Sequence, residues 1–205
     1  AIEAYNTALS LKPDYADAYN NMGVTLNEQG KLGEAIDAYN KAISIKPDYA
    51  EAYYNMGGAL QEKGKLDEAI EAYNTALSLK PDYAEVYTNM GITLNEQGKL
   101  GEAIEAYNKA ISLKPDYAEA YYNIGGALQE KGKLDEAIEA YNTALSLKPD
   151  YAEVYTNMGI TLNEQGKLGE AIEAYNKAIS IEPDYAEAYT NMGITLNDQG
   201  KLKEA

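Results

Sequence analysis

The chain has no cysteine and no histidine among its 205 residues. Thiolate and imidazole chemistry, disulfides, the usual zinc ligands and a histidine pH switch are therefore all excluded. Tryptophan and phenylalanine are also missing, so the aromatic content is carried by 20 tyrosines. Arginine is absent too. The 17 basic residues, all lysine, are scattered among 33 acids and leave a formal net charge of -16. Gripping a phosphate backbone needs clustered cations that release counterions, so nucleic acid is excluded as a partner. No run approaches the roughly 18 apolar residues of a membrane span, and the start at Ala1 has neither a basic nor an apolar leader region. The composition reads as a soluble, acidic, helix-rich chain.

What is present is a period. Pro-Asp-Tyr-Ala begins at Pro13, Pro47, Pro81, Pro115, Pro149 and Pro183, always 34 residues apart. A unit that short cannot bury its own apolar face, so copies must stack and share an elongated core. Unit positions are counted 1 to 34 from Ala16, Ala50, Ala84, Ala118 and Ala152. In the unit at Ala50, Tyr53, Met56, Gly57 and Leu60 follow the i, i+3, i+4, i+7 spacing of one helical face, helix A. Leu66, Ala69, Ile70, Tyr73, Ala76 and Leu77 draw a second stripe, helix B. Gly64 stands where a helix C′ residue takes positive φ, and Pro81 ends helix B. Asp82 is expected to cap the next helix, with Glu85 closing a capping box.

Tyr53, Met56, Gly57, Leu60, Ala69, Tyr73, Ala76 and Pro81 together resemble the tetratricopeptide repeat, with tyrosine in place of its tryptophan at position 4 and its phenylalanine at position 24. The resemblance covers the whole chain and implies an all-α fold, a right-handed α-solenoid of antiparallel helix pairs with helix A on the concave side. It divides the chain into a helix B half-repeat at 1–15, full repeats at 16–49, 50–83, 84–117, 118–151 and 152–185, and a helix A half-repeat with the first turn of its partner at 186–205. Such a chain is expected to be a fragment of a longer array, and its two half-repeats are complementary, which suggests head-to-tail stacking of copies. A longer period lies above the first. The units at Ala50 and Ala118 differ only at Met56 against Ile124, so the cassette is 68 residues.

At about 100° per residue, positions 2, 5, 6, 9, 12 and 13 of helix A face away from the 4, 7, 8, 11 stripe and make the candidate groove. Position 6 is always asparagine: Asn21, Asn55, Asn89, Asn123, Asn157 and Asn191. An amide carries donors and an acceptor, so a ladder of them can pair with the backbone of an extended peptide whatever its side chains. These six resemble the peptide-binding asparagines in the repeat domain of O-linked N-acetylglucosamine transferases. Around them, Tyr54 and Tyr122 at position 5 accompany glycine at position 9, whereas Thr88 and Thr156 accompany Ile92 and Ile160, which suggests pockets spaced two repeats apart. Glu62, Glu96, Glu130 and Glu164 at position 13 favour a basic ligand. The carboxylate clamp of chaperone-binding members needs cations at positions 2, 5 and 6, where this chain has Glu51, Tyr54 and Asn55. Nothing implies a metal, a cofactor or a catalytic set. The expected function is a scaffold that binds a protein or extended peptide, the alternatives being a self-assembling array and the substrate-recognition arm of a larger enzyme such as a glycosyltransferase.

Overall fold

The computed structural model describes residues 1–200; the first turn expected after Gly200 lies outside the described residues. The described chain is all helix, with no strand. Helices of B type are α1 (Ile2–Leu11), α3 (Leu32–Ile45), α5 (Leu66–Leu79), α7 (Leu100–Leu113), α9 (Leu134–Leu147) and α11 (Leu168–Ile181). Helices of A type are α2 (Ala16–Glu28), α4 (Ala50–Glu62), α6 (Ala84–Glu96), α8 (Ala118–Glu130), α10 (Ala152–Glu164) and α12 (Ala186–Asp198). The chain divides into two compact units, Ala1–Glu102 and Ala103–Ala205, with the division inside α7. In the first, α2 pairs with α3 and α4 with α5, while α3 packs on α4 and α5 on α6. In the second, α8 pairs with α9 and α10 with α11, while α9 packs on α10 and α11 on α12. This is the helix-pair stacking of a solenoid.

The turns follow from single residues. Gly64 takes φ +76°, donates its N–H to the Gln61 carbonyl at 2.8 Å, and lets Lys65 reach back to the Leu60 carbonyl at 2.9 Å. That pair of reversed bonds closes α4 and satisfies two of its orphan carbonyls. The start of each A helix departs from expectation. The residue before α6 is Tyr83, not Asp82, and no side chain caps the helix by accepting from its first-turn N–H groups, so there is no capping box. The residue ahead of the helix is instead held by a cation over its ring: Lys80 Nζ lies 4.1 Å from the Tyr83 ring centroid, and Lys12, Lys46, Lys114 and Lys148 stand likewise over Tyr15, Tyr49, Tyr117 and Tyr151. The sixth place in this series is Glu182. A carboxylate there faces the negative end of α11 and adds the smallest of the contributions, after burial, Glu187 and Glu153, that raise the Tyr185 phenol to about 12. Glu182→Lys is expected to stabilise the protein by about 0.5–1 kcal/mol, the exposed cation–π range. A midpoint in urea that does not rise, or falls, would refute this.

The core is tyrosine against glycine and alanine. Tyr39, Tyr73, Tyr141 and Tyr175 are buried at position 24, among alanines at positions 20, 23 and 27. A Cβ added to Gly57 would lie 2.7 Å from Tyr73 Cδ1 and 2.9 Å from its Cζ, so the ring occupies the space above a bare backbone. Gly23 and Gly159 meet Tyr39 and Tyr175 in the same way.

Candidate functional site

Helix A carries a wider core stripe than its sequence spacing suggests. Positions 3 and 10 are buried as well, as Val86 and Val154 and as Thr93 and Thr161 show. The cause is that each A helix packs on more than its own B helix: it also lies against the B helix before it, as α6 does on α5, where Val86 joins Ala69, Ala72, Tyr73 and Ala76, and against a neighbouring A helix, as α2 does on α4, α4 on α6, α8 on α10 and α10 on α12. Position 5 faces the seam between A helices. Thr88 and Thr156, expected in the groove, are fully buried, and each hydroxyl donates at 3.2 Å to the carbonyl four residues back, Ala84 or Ala152. They offer a ligand no surface.

The other position 5 residues tie neighbouring A helices together. Asn55 Nδ2 donates to Asn20 Oδ1 at 3.1 Å, Asn89 Nδ2 to Tyr54 Oη at 3.0 Å, and Asn157 Nδ2 to Tyr122 Oη at 2.8 Å. Every bond spans 35 residues. Tyr54 also lies between two rings, 5.2 Å from Tyr83 and 6.3 Å from Tyr73 between centroids, and Tyr122 repeats this with Tyr151 and Tyr141. Tyr122 Oη in turn donates to Glu153 Oε1 at 2.6 Å. Burial, then that bond and the Glu153 charge, push its phenol far above the ordinary value. It stays neutral and remains a donor.

A second rail runs alongside with the same offset. Asn27 Nδ2 donates to Glu62 Oε1 at 3.1 Å, Gln61 Nε2 to Glu96 Oε1 at 2.7 Å, and Gln129 Nε2 to Glu164 Oε1 at 2.8 Å. The position 13 acids are thus exposed but each of these three is anchored by the preceding repeat, and Glu130 too is engaged. The structure also brings in Asn20, which the sequence reading passed over and which is buried as the acceptor for Asn55. The constant 35-residue offset between positions 5 and 6 was its available signal.

The six asparagines are not equivalent. Asn55, Asn89 and Asn157 are half-buried and bonded as above, whereas Asn21 is exposed and Asn191 is half-buried. Asn123 is half-buried with its Nδ2 sealed from solvent and without a partner among the described residues. Ile92 and Ile160 are half-buried, and Ile160 packs against the cluster around Leu162 and Tyr175. In the first unit a cleft of about 160 Å³ brings Asn55 and Asn89 together with Tyr54, Gly58, Val24 and Glu28. Its inner wall is Tyr39, whose phenol is pushed up to about 12 by burial and then by Glu62 and Glu28. A small apolar pocket edged by three amides, Asn27 among them, and a carboxylate is the result. Among the described residues no group of three or more carboxylates is arranged to hold a metal ion, and no helix is long and apolar enough to cross a membrane.

Sequence models described as the TPR repeat match residues 1–30, 25–64, 59–98 and 93–132, and tetratricopeptide repeat models match 116–184 and 174–205. No curated protein matches the sequence. Among solved structures, the chain is similar to YrrB, described as a TPR protein with an unusual peptide-binding site, at 27% identity over 93% of this chain and 98% of that one, with a TM-score of 0.69. MamA is 30% identical over 81% of this chain and 97% of its own, with a TM-score of 0.72. The pilF protein of Pseudomonas aeruginosa shares the fold at a TM-score of 0.81, with 24% identity over 92% and 86% of the two chains. Family models that tile the whole sequence, on a described chain of stacked helix pairs, establish that this protein belongs to the tetratricopeptide repeat family.

Proposed function

We propose that the chain is a non-catalytic protein-interaction scaffold that holds an extended peptide along the A-helix face, with a preference for basic residues. The observation that carries this reading is the state of Asn55, Asn89 and Asn157. Each spends one N–H on the preceding helix and keeps a second N–H and its carbonyl oxygen uncommitted among the described residues. The bond fixes the amide, so little of its rotamer entropy remains to be lost when a ligand arrives. Backbone pairing alone binds weakly, since a hydrogen bond nets about 0.5–1.5 kcal/mol and ordering a peptide residue costs about 1–2 kcal/mol. The cleft beside Tyr54 and Gly58 supplies the apolar contact that tips this balance, and Glu28 at its edge favours a lysine or arginine there. The likeness to YrrB, a peptide-binding member of the family, supports the same reading.

The test is the triple variant Asn55→Ala, Asn89→Ala and Asn157→Ala, screened on a peptide array. Loss of at least tenfold in signal across unrelated sequences is expected, because the amides read backbone. Tyr54→Phe serves as the control for stability: it removes the acceptor of the inter-helix bond but leaves the Asn89 amide in place. Array binding by the triple variant equal to that of the parent would refute the scaffold reading as stated.

A further inference from the structure

Three clefts larger than the one on the A-helix face, of about 320, 300 and 240 Å³, open on the B-helix side and are built from the same unit positions in different repeats. In the second, Tyr53, Met56 and Leu60 of α4 form the floor, Ile36 of α3 one wall, and Glu68 and Glu71 of α5 the opposite rim. One repeat earlier the same places hold Tyr19, Met22, Leu26, Ile2, Glu34 and Asp37. In the other unit Tyr155, Met158 and Leu162 lie under Glu170 and Glu173.

The clefts have a packing cause. Within each unit neighbouring A helices approach closely, but the backbones of neighbouring B helices, α3 and α5 or α9 and α11, stay apart among the described residues, with side chains such as Ile36 and Ile138 reaching into the space between. A wedge is left between successive B helices, floored by the A helix beneath. The floor tyrosines and methionines are only half-buried in consequence. Methionine is a flexible, polarisable side chain that adapts to apolar partners of varied shape. Along the rim, the two acids stand three residues apart on one helix face, and Lys41 and Lys177 also line the first and third clefts where the second has Thr75. Of the rim acids, Glu68 is paired with Lys65 at 2.7 Å, while Glu34, Asp37, Glu71, Glu170 and Glu173 have no cation partner among the described residues.

We propose that this side is a second docking surface, for a protein segment that presents large apolar side chains flanked by lysine or arginine. The apolar part fills a cleft and the cation sits between the paired carboxylates. An anionic membrane or a nucleic acid would meet these acids with like charge, so charge complementarity selects a basic polypeptide. Because the cleft recurs in successive repeats, one segment can engage two of them and gain avidity without new kinds of contact. This surface is separate from the asparagine face and does not depend on it.

The probe is a labelled amphipathic peptide of leucine and lysine, with its leucine–glutamate counterpart, followed by fluorescence anisotropy at about physiological ionic strength, where unspecific attraction is screened. The lysine peptide should bind and the glutamate peptide should not. Asp37→Lys with Glu71→Lys should weaken binding at least tenfold, whereas Asp48→Lys with Asp82→Lys, an equal charge change in the exposed loops, should change it less than twofold. Asn40→Trp, which places bulk in the second cleft without altering charge, should also weaken it, and Asn89→Ala should not. Circular dichroism checks that each variant stays helical. Equal losses for the two charge pairs, insensitivity to Asn40→Trp, or no binding of the lysine peptide would each overturn the proposal.

Discussion

Raising the pH through about 10 to 12 is expected to unfold the protein. With neither histidine nor cysteine, the chain has no side chain that titrates near neutrality, so stability should be nearly flat from about pH 6 to 9. Tyrosines then govern. Tyr39 is 2% exposed and pushed up to about 12 by burial and by Glu62 and Glu28, while Tyr73 and Tyr141, fully buried, are pushed further in the same direction by burial first. The sign follows from linkage. In the unfolded chain these phenols ionise near 10, but in the folded one they stay neutral, so their stabilisation is complete below pH 10 and is lost as pH rises towards the folded value. Each unit of separation is worth about 1.4 kcal/mol, so these tyrosines together remove several kcal/mol as the pH approaches 12. That is a large fraction of the stability of a typical domain. Exposed tyrosines such as Tyr15 and Tyr189 ionise without unfolding, so the buried fraction of the tyrosinate absorbance is the part that should appear together with the loss of far-ultraviolet circular dichroism. Ionisation of all 20 tyrosines with helix content unchanged would contradict the burial described here.

How much of this was legible beforehand can be judged residue by residue. The helices and their ends were readable because they depend on local chemistry: Gly64 at positive φ and Pro81 beyond α5 act through their own backbones. Asp82 failed as a cap because the helix starts one residue later than a capping box requires, after a tyrosine ring held by Lys80. On the A helices, position 5 was not legible. Whether that position faces solvent depends on how closely adjacent A helices approach, a distance between repeats that no periodicity within one repeat encodes. Thr88 and Thr156 were lost to the seam for that reason, and Asn20 was gained. The clefts of the B-helix side were invisible for a related cause. Tyr53, Met56 and Leu60 read as ordinary core, and only the gap between α3 and α5 exposes them.

Tyr73→Ala is expected to cost about 3–5 kcal/mol, the range for deleting a buried aromatic ring, and Gly57→Ala to reverse its sign depending on whether that ring is present. Tyr73 is fully buried, and its hydroxyl donates to Gln61 Oε1 at 3.2 Å. Gly57 sits in mid-helix, where alanine would ordinarily be better by about 1 kcal/mol. Against this stands the new Cβ, 2.7 Å from Tyr73 Cδ1, far inside van der Waals contact with a ring that has no room to retreat. Overpacking of that kind costs about 1–3 kcal/mol, so the clash outweighs the propensity gain and Gly57→Ala destabilises the parent. In the Tyr73→Ala background the ring is gone and the space is a cavity, so the same methyl group no longer clashes and stabilises by its helix propensity. Urea unfolding of the four proteins closes the cycle. Because a repeat array can lose cooperativity when one repeat is weakened, the transition should be followed by both circular dichroism and tyrosine fluorescence. A coupling near zero, with Gly57→Ala equally costly in both backgrounds, would mean that the glycine is required for something other than the tyrosine that covers it.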